Sequence, residues 1–200
     1  MKKALILMLL ITALIGTNCK KKSDDSTTPV APTASALAKV GTVWTSVTGS
    51  LSVVQATGGD VIVRCVQQGD TVSVAGSMTT AGFYDYFYSN GDKTKPFPLV
   101  TFSDVVGTTH TFSLGTAQVV RTVTSVSTTD DFYVPALGMY LKVFVVKEDV
   151  PALTVNGKLT KTKTIYWTLN HKYGVVYARA ILTDGTDLEF PLTASNAGAK

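Results

Sequence analysis

The stretch DVIVRCVQQGDTVSVAGS, residues 60–77, decides the fold class of this chain. Its first half alternates, so that Val61, Val63 and Cys65 share one face of an extended strand. The turn residues Gly69 and Asp70 follow, and both tolerate the backbone angles that tight hairpins need. The stretch therefore predicts an antiparallel hairpin with strands over 60–67 and 70–77.

The same pattern continues on both sides of this hairpin. β-Branched residues are abundant, with 30 Thr, 26 Val and 6 Ile among 200 residues, and such side chains favour strands. No segment after the first 18 residues keeps a helical apolar period for three turns, and no repeat is visible. Strands are predicted near 40–48, 51–56, 60–67, 70–77, 82–88, 97–102, 109–114, 117–128, 131–134, 138–147, 163–169, 174–182 and 187–192. The prediction is a single all-β domain over 39–195, either an antiparallel sandwich or a curved, partly open barrel.

Length and charge limit the classes of function. A chain of 200 residues is long enough for one core. The net charge of +4 falls to +1 from residue 36 onward, where 13 basic side chains face 12 acidic ones. Arginine occurs three times, at Arg64, Arg121 and Arg179, and no basic cluster is visible. Because phosphate binding needs a clustered basic face, nucleic acid is rejected as a partner.

The N-terminus has the pattern of an export signal. A basic start at Lys2 and Lys3 precedes an apolar run over 4–15, which is too short to cross a bilayer core of about 30 Å. Cys19 follows at once, and its position resembles the lipobox of bacterial lipoproteins, in which the thiol receives a diacylglycerol. The resemblance implies a signal peptide over 1–18 and lipid attachment at Cys19. A soluble secreted protein and a transmembrane anchor are the alternatives.

The next segment, 19–38, is charged and then rich in Ser, Thr and Pro, which predicts a flexible tether. Lysine after the cysteine resembles outer-membrane lipoproteins, and a Lys-rich then Asp-rich start resembles surface-export signals. We therefore expect a protein held on the membrane by its lipid anchor, in the outer membrane and on either side of it. With Cys19 acylated, Cys65 has no disulfide partner, and its alternating strand predicts a buried structural thiol.

Four short motifs in the second half carry a resemblance to a known family. They are GTTHTF at 107–112, VPA at 134–136, TIYW at 164–167 and KYGVVY at 172–177. In this order they resemble the TapB-like extracytoplasmic lipoprotein domains, a family of unknown function, over about residues 40–192. The resemblance implies a β-rich fold and an envelope location, and it brings no activity and no site residues.

Catalytic and metal-binding patterns are weak in this sequence. His110 and His171 have no ligand-type neighbours, and no nucleophile elbow is present, so no catalytic residue, metal or cofactor is predicted. Asp130-Asp131 and the pair Asp184 and Asp187 lie at predicted turns. Turn capping is the favoured interpretation of these aspartates, and a calcium site is the alternative.

The run FYDYFY, residues 83–88, is the most unusual feature after the N-terminus. Alternation along the predicted strand 82–88 places Tyr84, Tyr86 and Tyr88 on one face and the residues between them on the other. Such a tyrosine stripe packs across strands or forms a face that binds a sugar or another protein.

Together these observations predict a non-enzymatic, membrane-anchored envelope lipoprotein whose β-domain is structural or binds a partner. One alternative is a carrier that holds a lipid or another apolar ligand inside the curved sheet. A second alternative is a hydrolase with dispersed site residues. The carrier predicts a cavity inside the sheet, and the hydrolase predicts convergent polar groups with shifted pKa values in a cleft. A structure with neither feature would remove both alternatives.

Overall fold

A computed structural model describes residues 32–67, 70–152, 154–155, 158–159 and 161–198. The predicted signal peptide, Cys19 and most of the predicted tether lie outside the described residues. Across the described part, the chain is almost entirely β, with a single short 3-10 turn at Pro135–Leu137. The predicted all-β class is confirmed.

The first half of the domain contains six strands. They are β1 (Val43–Ser46), β2 (Gly49–Thr57), β3 (Asp60–Gln67), β4 (Asp70–Met78), β5 (Gly82–Asp85) and β6 (Phe97–Thr101). Each pairs antiparallel with the next, so this half is a simple meander. The hairpin that the sequence predicts over 60–77 is present, with Val63 opposite Val74 and Cys65 opposite Val72.

The second half adds ten strands, of which six join the same sheet. They are β7 (Thr109–Leu114), β8 (Ala117–Val126), β9 (Phe132–Val134), β10 (Met139–Leu141), β11 (Phe144–Asp149), β12 (Thr154–Val155), β13 (Lys158–Leu159), β14 (Thr162–Asn170), β15 (Gly174–Leu182) and β16 (Asp187–Ser195). The pairs β9–β10 and β12–β13 are separate hairpins.

The two halves form one twelve-stranded sheet in the order β6-β5-β4-β3-β2-β1-β16-β15-β14-β11-β8-β7. They join where β1 pairs with β16, with Trp44 opposite Ser195. Register shifts in several pairs, such as the one between Val53 and Gln55 in β2, raise the local twist and help the sheet to curl. The result is a nearly closed barrel whose free edges are β6 and β7. Of the two predicted architectures, the curved, partly open barrel is confirmed.

The two ends of the barrel differ. We call the closed end the one that carries the segment 32–42, the β4–β5 turn and the hairpin β9–β10. A contiguous core fills it, including Leu37 at 1% exposure and Val100 and Leu169 at 0%. We call the opposite end, with the β1–β2, β3–β4 and β15–β16 connections, the open end.

Two boundaries in the structure differ from those that the sequence predicts. Leu37 lies in the segment predicted as tether, 19–38, yet it is part of the core, and the amide of Ser35 donates to the carbonyl of Met78 at 3.0 Å. The folded domain therefore begins before residue 39, because Leu37 and the backbone hydrogen bonds of this segment hold it against the barrel. The predicted strand 138–147 is two strands, since the chain leaves β10 after Leu141 and enters β11 at Phe144.

Candidate functional site

The curved sheet encloses a cavity of about 590 Å³, which is in the range of pockets that hold small molecules. Its walls are mostly apolar and come from both halves of the sheet. They include Leu51, Val63, Cys65, Val72, Val74, Met78, Phe83, Leu99, Ile165, Trp167, Ala178, Ala180 and Phe190. The cavity reaches the surface at the open end, because exposed Lys161 is part of its lining.

Alternation along the strands produces this lining. In β15, Ala178 and Ala180 are buried while Arg179 between them pairs with Asp187 at the surface. Ala178 lies opposite Trp167 in β14 and opposite Phe190 in β16, and all three line the cavity. The small alanines leave space that larger residues at the same positions would fill.

The seam between the free edges is bridged by a side chain. Arg121 in β8 is 3% exposed, and its guanidinium donates to the backbone carbonyls of Phe97 and Pro98 in β6 at 3.2 and 3.1 Å. It also lies over the ring of Phe97, 4.0 Å from the ring centre. Arg121 therefore ties β8 to edge strand β6 across the intervening edge strand β7.

The same guanidinium holds two carboxylates. Its Nε donates to Oε2 of Glu148 in β11 at 2.8 Å, and its Nη2 donates to Oδ2 of Asp85 at the end of β5. Glu148, 2% exposed, also accepts from the hydroxyl of Tyr88 and from Nε1 of Trp167, the latter at 3.0 Å. We call these five residues, Asp85, Tyr88, Arg121, Glu148 and Trp167, the seam cluster. All five line the cavity.

Burial shifts the pKa values in this cluster. It raises the pKa of Asp85, with a further rise from the charge of Glu148, and the nearby Arg121 opposes both. Burial alone would lower the pKa of Arg121, but Glu148 and Asp85 outweigh it and raise that pKa. Burial and then Glu148 raise the pKa of Tyr88. Tyr88 therefore stays protonated and remains a hydrogen-bond donor.

Gln67 ends β3 at the open end of the barrel and lines the cavity. It is 9% exposed, and its Oε1 is buried without a hydrogen-bond partner among the described residues. A buried polar atom without a partner costs folding free energy, so this oxygen lowers the stability of the open end.

The structure separates the predicted tyrosine stripe. Strand β5 ends at Asp85, so the alternation that would align Tyr84, Tyr86 and Tyr88 stops before the last two. Tyr88 turns into the seam cluster, where its ring also contacts those of Phe97 and Phe112. The prediction of one shared face is therefore wrong for Tyr88.

The other two tyrosines have separate surroundings. Tyr86 is buried and donates to Oδ1 of Asp60 at 3.0 Å. Tyr84 is half-buried, and burial followed by the charge of Asp104 raises its pKa. Whether Tyr84 and Tyr86 take part in binding stays a prediction.

The remaining candidate residues have local contacts. Burial raises the pKa of the Cys65 thiol, which is partly buried in the cavity wall. His110 contacts Oδ2 of Asp104 at 2.9 Å, and the ring of His171 packs against Phe102. The aspartates at 130, 131, 184 and 187 accept from Lys142 N, Ser127, Thr186 N and Arg179, respectively. Across the described ranges, no group of three or more His, Cys, Asp or Glu side chains could hold a metal ion.

Sequence reasoning missed the seam cluster and Gln67. A signal for Arg121 was present, because a charged residue stands at an inward position inside the β-branched run VVRTV, 119–123. Glu148 had a weaker signal, since Lys147 and Asp149 flank it and hide its inward position. Their contact follows from the pairing of β8 with β11, in which Arg121 lies opposite Glu148.

No family model, no curated protein and no solved structure matches this chain. The resemblance to TapB-like lipoprotein domains therefore stays a prediction. The described residues contain no helix that is long and apolar enough to cross a membrane.

Proposed function

We propose that this protein binds an elongated, mostly apolar small molecule inside its barrel and acts as a carrier for it. The observation that carries the proposal is the cavity of about 590 Å³ between the two halves of the sheet. A sheet of this size with a purely structural role gains stability by filling its interior. Here Leu37, Val100 and Leu169 pack a core at the closed end, and the cavity beside this core extends to the open end.

The seam cluster favours a carrier over the hydrolase alternative. A general acid or base must be able to exchange its proton with a substrate. Glu148 accepts from three donors, and Asp85 is held by the guanidinium and by the amide of Phe87 at 3.0 Å. We therefore assign these carboxylates to holding the barrel together.

Native mass spectrometry tests the proposal directly. The protein is expressed into a bacterial periplasm, purified without detergent and measured beside Ala178→Phe, which puts a large ring into the cavity. We expect a lipid-sized adduct on the wild type and its loss in Ala178→Phe. Ala194→Phe, at an exposed position of β16, is the matched control and should keep the adduct. A wild type that carries no adduct and takes up no added apolar ligand would contradict the proposal.

We also propose that the carrier is held on the envelope membrane through acylated Cys19, in line with the signal-like N-terminus. Exposed apolar side chains at the closed end support a lipid surface on that side. They are Val40, Val105, Val106, Tyr133, Met139 and Tyr140. The chain also enters the fold at this end, so the anchor and these side chains would face the same bilayer, leaving the open end accessible.

Metabolic labelling with a fatty acid tests the anchor. Wild type should incorporate label, and Cys19→Ala should lose it, whereas Cys65→Ala should keep it. Label that persists in Cys19→Ala would refute the anchor.

Vesicle binding tests whether the exposed apolar side chains at the closed end contact a membrane. The double variant Tyr133→Ser, Tyr140→Ser should bind phospholipid vesicles more weakly than wild type, because Tyr favours the membrane interface. Unchanged vesicle binding would assign these rings another role.

A further inference from the structure

We infer that the ligand is an amphiphilic amine, whose ammonium group binds the Asp85 carboxylate inside the barrel and whose apolar chain lies along the cavity wall. The inference rests on the proposed function and goes further, because it names the chemical class of the ligand and the side chain that selects it. Fatty acids and other anionic lipids would be poor ligands of such a site.

Charge is unevenly distributed along the cavity wall. Among the described lining residues, the acidic and basic ones are Asp85, Arg121, Glu148 and Lys161. Lys161 is exposed at the mouth, whereas the other three form ion pairs with one another inside the barrel. Two carboxylates therefore share one guanidinium, and the seam cluster lacks one positive charge. Surplus charge inside a protein is costly, so a cation placed beside it is stabilised.

Asp85 is the carboxylate that a ligand can reach. Glu148 is 2% exposed and already accepts from three donors. The Asp85 side chain is 21% exposed, and alternation along β5 places it on the same inward face as buried Phe83, so its exposed part faces the cavity. Its oxygens accept from the Phe87 amide and from Arg121, which leaves about two of the four acceptor sites of a carboxylate. An ammonium can therefore donate to Asp85 without displacing Arg121.

The surroundings of Asp85 favour a cation over a neutral donor. Burial, followed by the charge of Glu148, raises the pKa of Asp85, so a proton stabilises this carboxyl group in the empty cavity. An ammonium group would take over that role through a charge-assisted hydrogen bond. Such a bond is about twice as strong as one from a neutral hydroxyl.

Lys161 defines the competing arrangement. It is exposed at the mouth, where a lipid carboxylate or phosphate would stay in water beside its ammonium group. The seam cluster lies deeper, because Glu148 pairs with Ile165, about 13 Å along the chain from Lys161. An anionic head at the mouth would therefore leave the charge of the seam cluster unbalanced. The two arrangements differ in the charge of the best ligand and in the side chain whose substitution weakens binding.

Displacement of the fluorescent probe phenylnaphthylamine separates them. The protein is stripped on a hydrophobic resin and titrated near neutral pH with decylamine, decanol and decanoate, which share one chain length. We expect decylamine to bind at least about tenfold more tightly than decanol, and decanoate to bind most weakly. Asp85→Asn should weaken decylamine about tenfold and change decanol by less than about twofold, because only the amine is charged. Lys161→Met should not weaken decylamine. Asp187→Asn, which alters the surface pair with Arg179, is the matched control and should not weaken it either.

Each contrary result is distinct. Decanol binding as tightly as decylamine, or an Asp85→Asn effect of equal size on both, would overturn the inference while leaving a carrier. Equal weakening of decylamine by Asp187→Asn would assign the effect to overall charge and overturn it as well. Decanoate as the tightest ligand, with loss of its binding in Lys161→Met, would place an anionic head at the mouth and also overturn it. The order of the three ligands on the wild type tests the inference independently of any variant. If none of the three displaces the probe, the proposed function fails and the inference fails with it.

Discussion

At the scale of single residues, Arg121 joins the two sides of the seam by side-chain hydrogen bonds, whereas backbone hydrogen bonds join the other neighbouring strands. β6 and β7 are the edges of the sheet, and the guanidinium of Arg121 bonds two carbonyls of β6. It also neutralises part of the charge of the buried Glu148 carboxylate and of the partly exposed Asp85 carboxylate. Removing it would leave Glu148, 2% exposed, without a cation.

We expect Arg121→Met to lower the free energy of unfolding by about 3–5 kcal/mol, because breaking a buried ion pair strands the remaining charge. Urea unfolding of the purified variant measures it. Adding Glu148→Gln to Arg121→Met should recover part of the loss, since no buried charge of Glu148 remains. Arg179→Met is the matched control, because its pair with Asp187 is at the surface, and it should be close to wild type. A loss as small as that of the control would show that Arg121 does not hold the seam.

Asp85 should give the protein an unusual pH dependence. Its pKa is raised in the folded state, first by burial and then by Glu148, above the ordinary value of about 4. The folded state therefore binds this proton more tightly than the unfolded state, and ionising Asp85 opposes folding. Its contribution to stability is present at low pH and is lost as the pH rises from about 4 toward the raised pKa.

The comparison with Asp85→Asn isolates this effect from the other carboxylates. The stability of the wild type minus that of the variant should fall as the pH rises, by at most about 1.4 kcal/mol per pH unit. Urea unfolding at a series of pH values measures the difference. A difference that grows with pH would mean that the pKa of Asp85 is lowered, with the ion pair to Arg121 dominating.

At the scale of elements, the short strand β5 depends on a glycine that lets β6 approach. A Cβ at Gly82 would come within 2.4 Å of the Val100 carbonyl oxygen and 2.9 Å of the Thr101 Cα. Both are backbone atoms in a paired strand, so β5 would have to move away. Because β5 ends in Asp85, such a shift would also disturb the seam cluster.

Gly82→Ala should therefore lower the unfolding free energy by about 1–3 kcal/mol, the usual cost of overpacking. Thermal or urea unfolding measures it, and probe binding in the cavity should weaken as well. The control is Gly115→Asn, where a Cβ meets nothing within 4 Å and the φ of +61° is one that Asn accepts, as Asn90 does in this chain. If Gly82→Ala were as stable as this control, β5 and β6 would not be as close as the structure has them.

The elements also show what sequence patterns can and cannot predict. Local alternation and turn residues predicted the hairpin β3–β4 with strand limits within a residue of the structure, because both signals are local. The strand predicted over 82–88 is too long at its C-terminal end. The β propensity of the sequence continues through Tyr86–Tyr88, but the chain turns after Asp85 and Tyr88 lies in the interior. The turn has a local contact, from the Phe87 amide to Asp85 Oδ1, and a tertiary one, from Tyr88 to Glu148 sixty residues away in sequence.

At the scale of the whole molecule, the choice between sandwich and barrel depended on information that no local pattern contains. Both architectures share alternating strands, and they differ in which distant strands meet. The meeting of β1 with β16, and the contacts of Arg121 across the seam, join residues far apart in the chain. The cavity has the same origin, since its walls come from both halves of the sheet.

The same Leu→Ala substitution should lower the unfolding free energy more in the packed core than in the cavity wall. Leu169 is 0% exposed in the core, so Leu169→Ala should cost about 2–5 kcal/mol. Leu51 packs against the core on one side and lines the cavity on the other, so Leu51→Ala should cost less than half as much. Urea unfolding of both variants measures the difference.

A saturating ligand should reverse part of this contrast. It stabilises the folded state by mass action, and Leu51→Ala should lose more of that stabilisation than Leu169→Ala because only Leu51 lines the ligand cavity. Equal costs for the two leucines without ligand would mean that the open end is as tightly packed as the closed end. In that case the barrel would be a solid scaffold, and its function would have to lie on its surface.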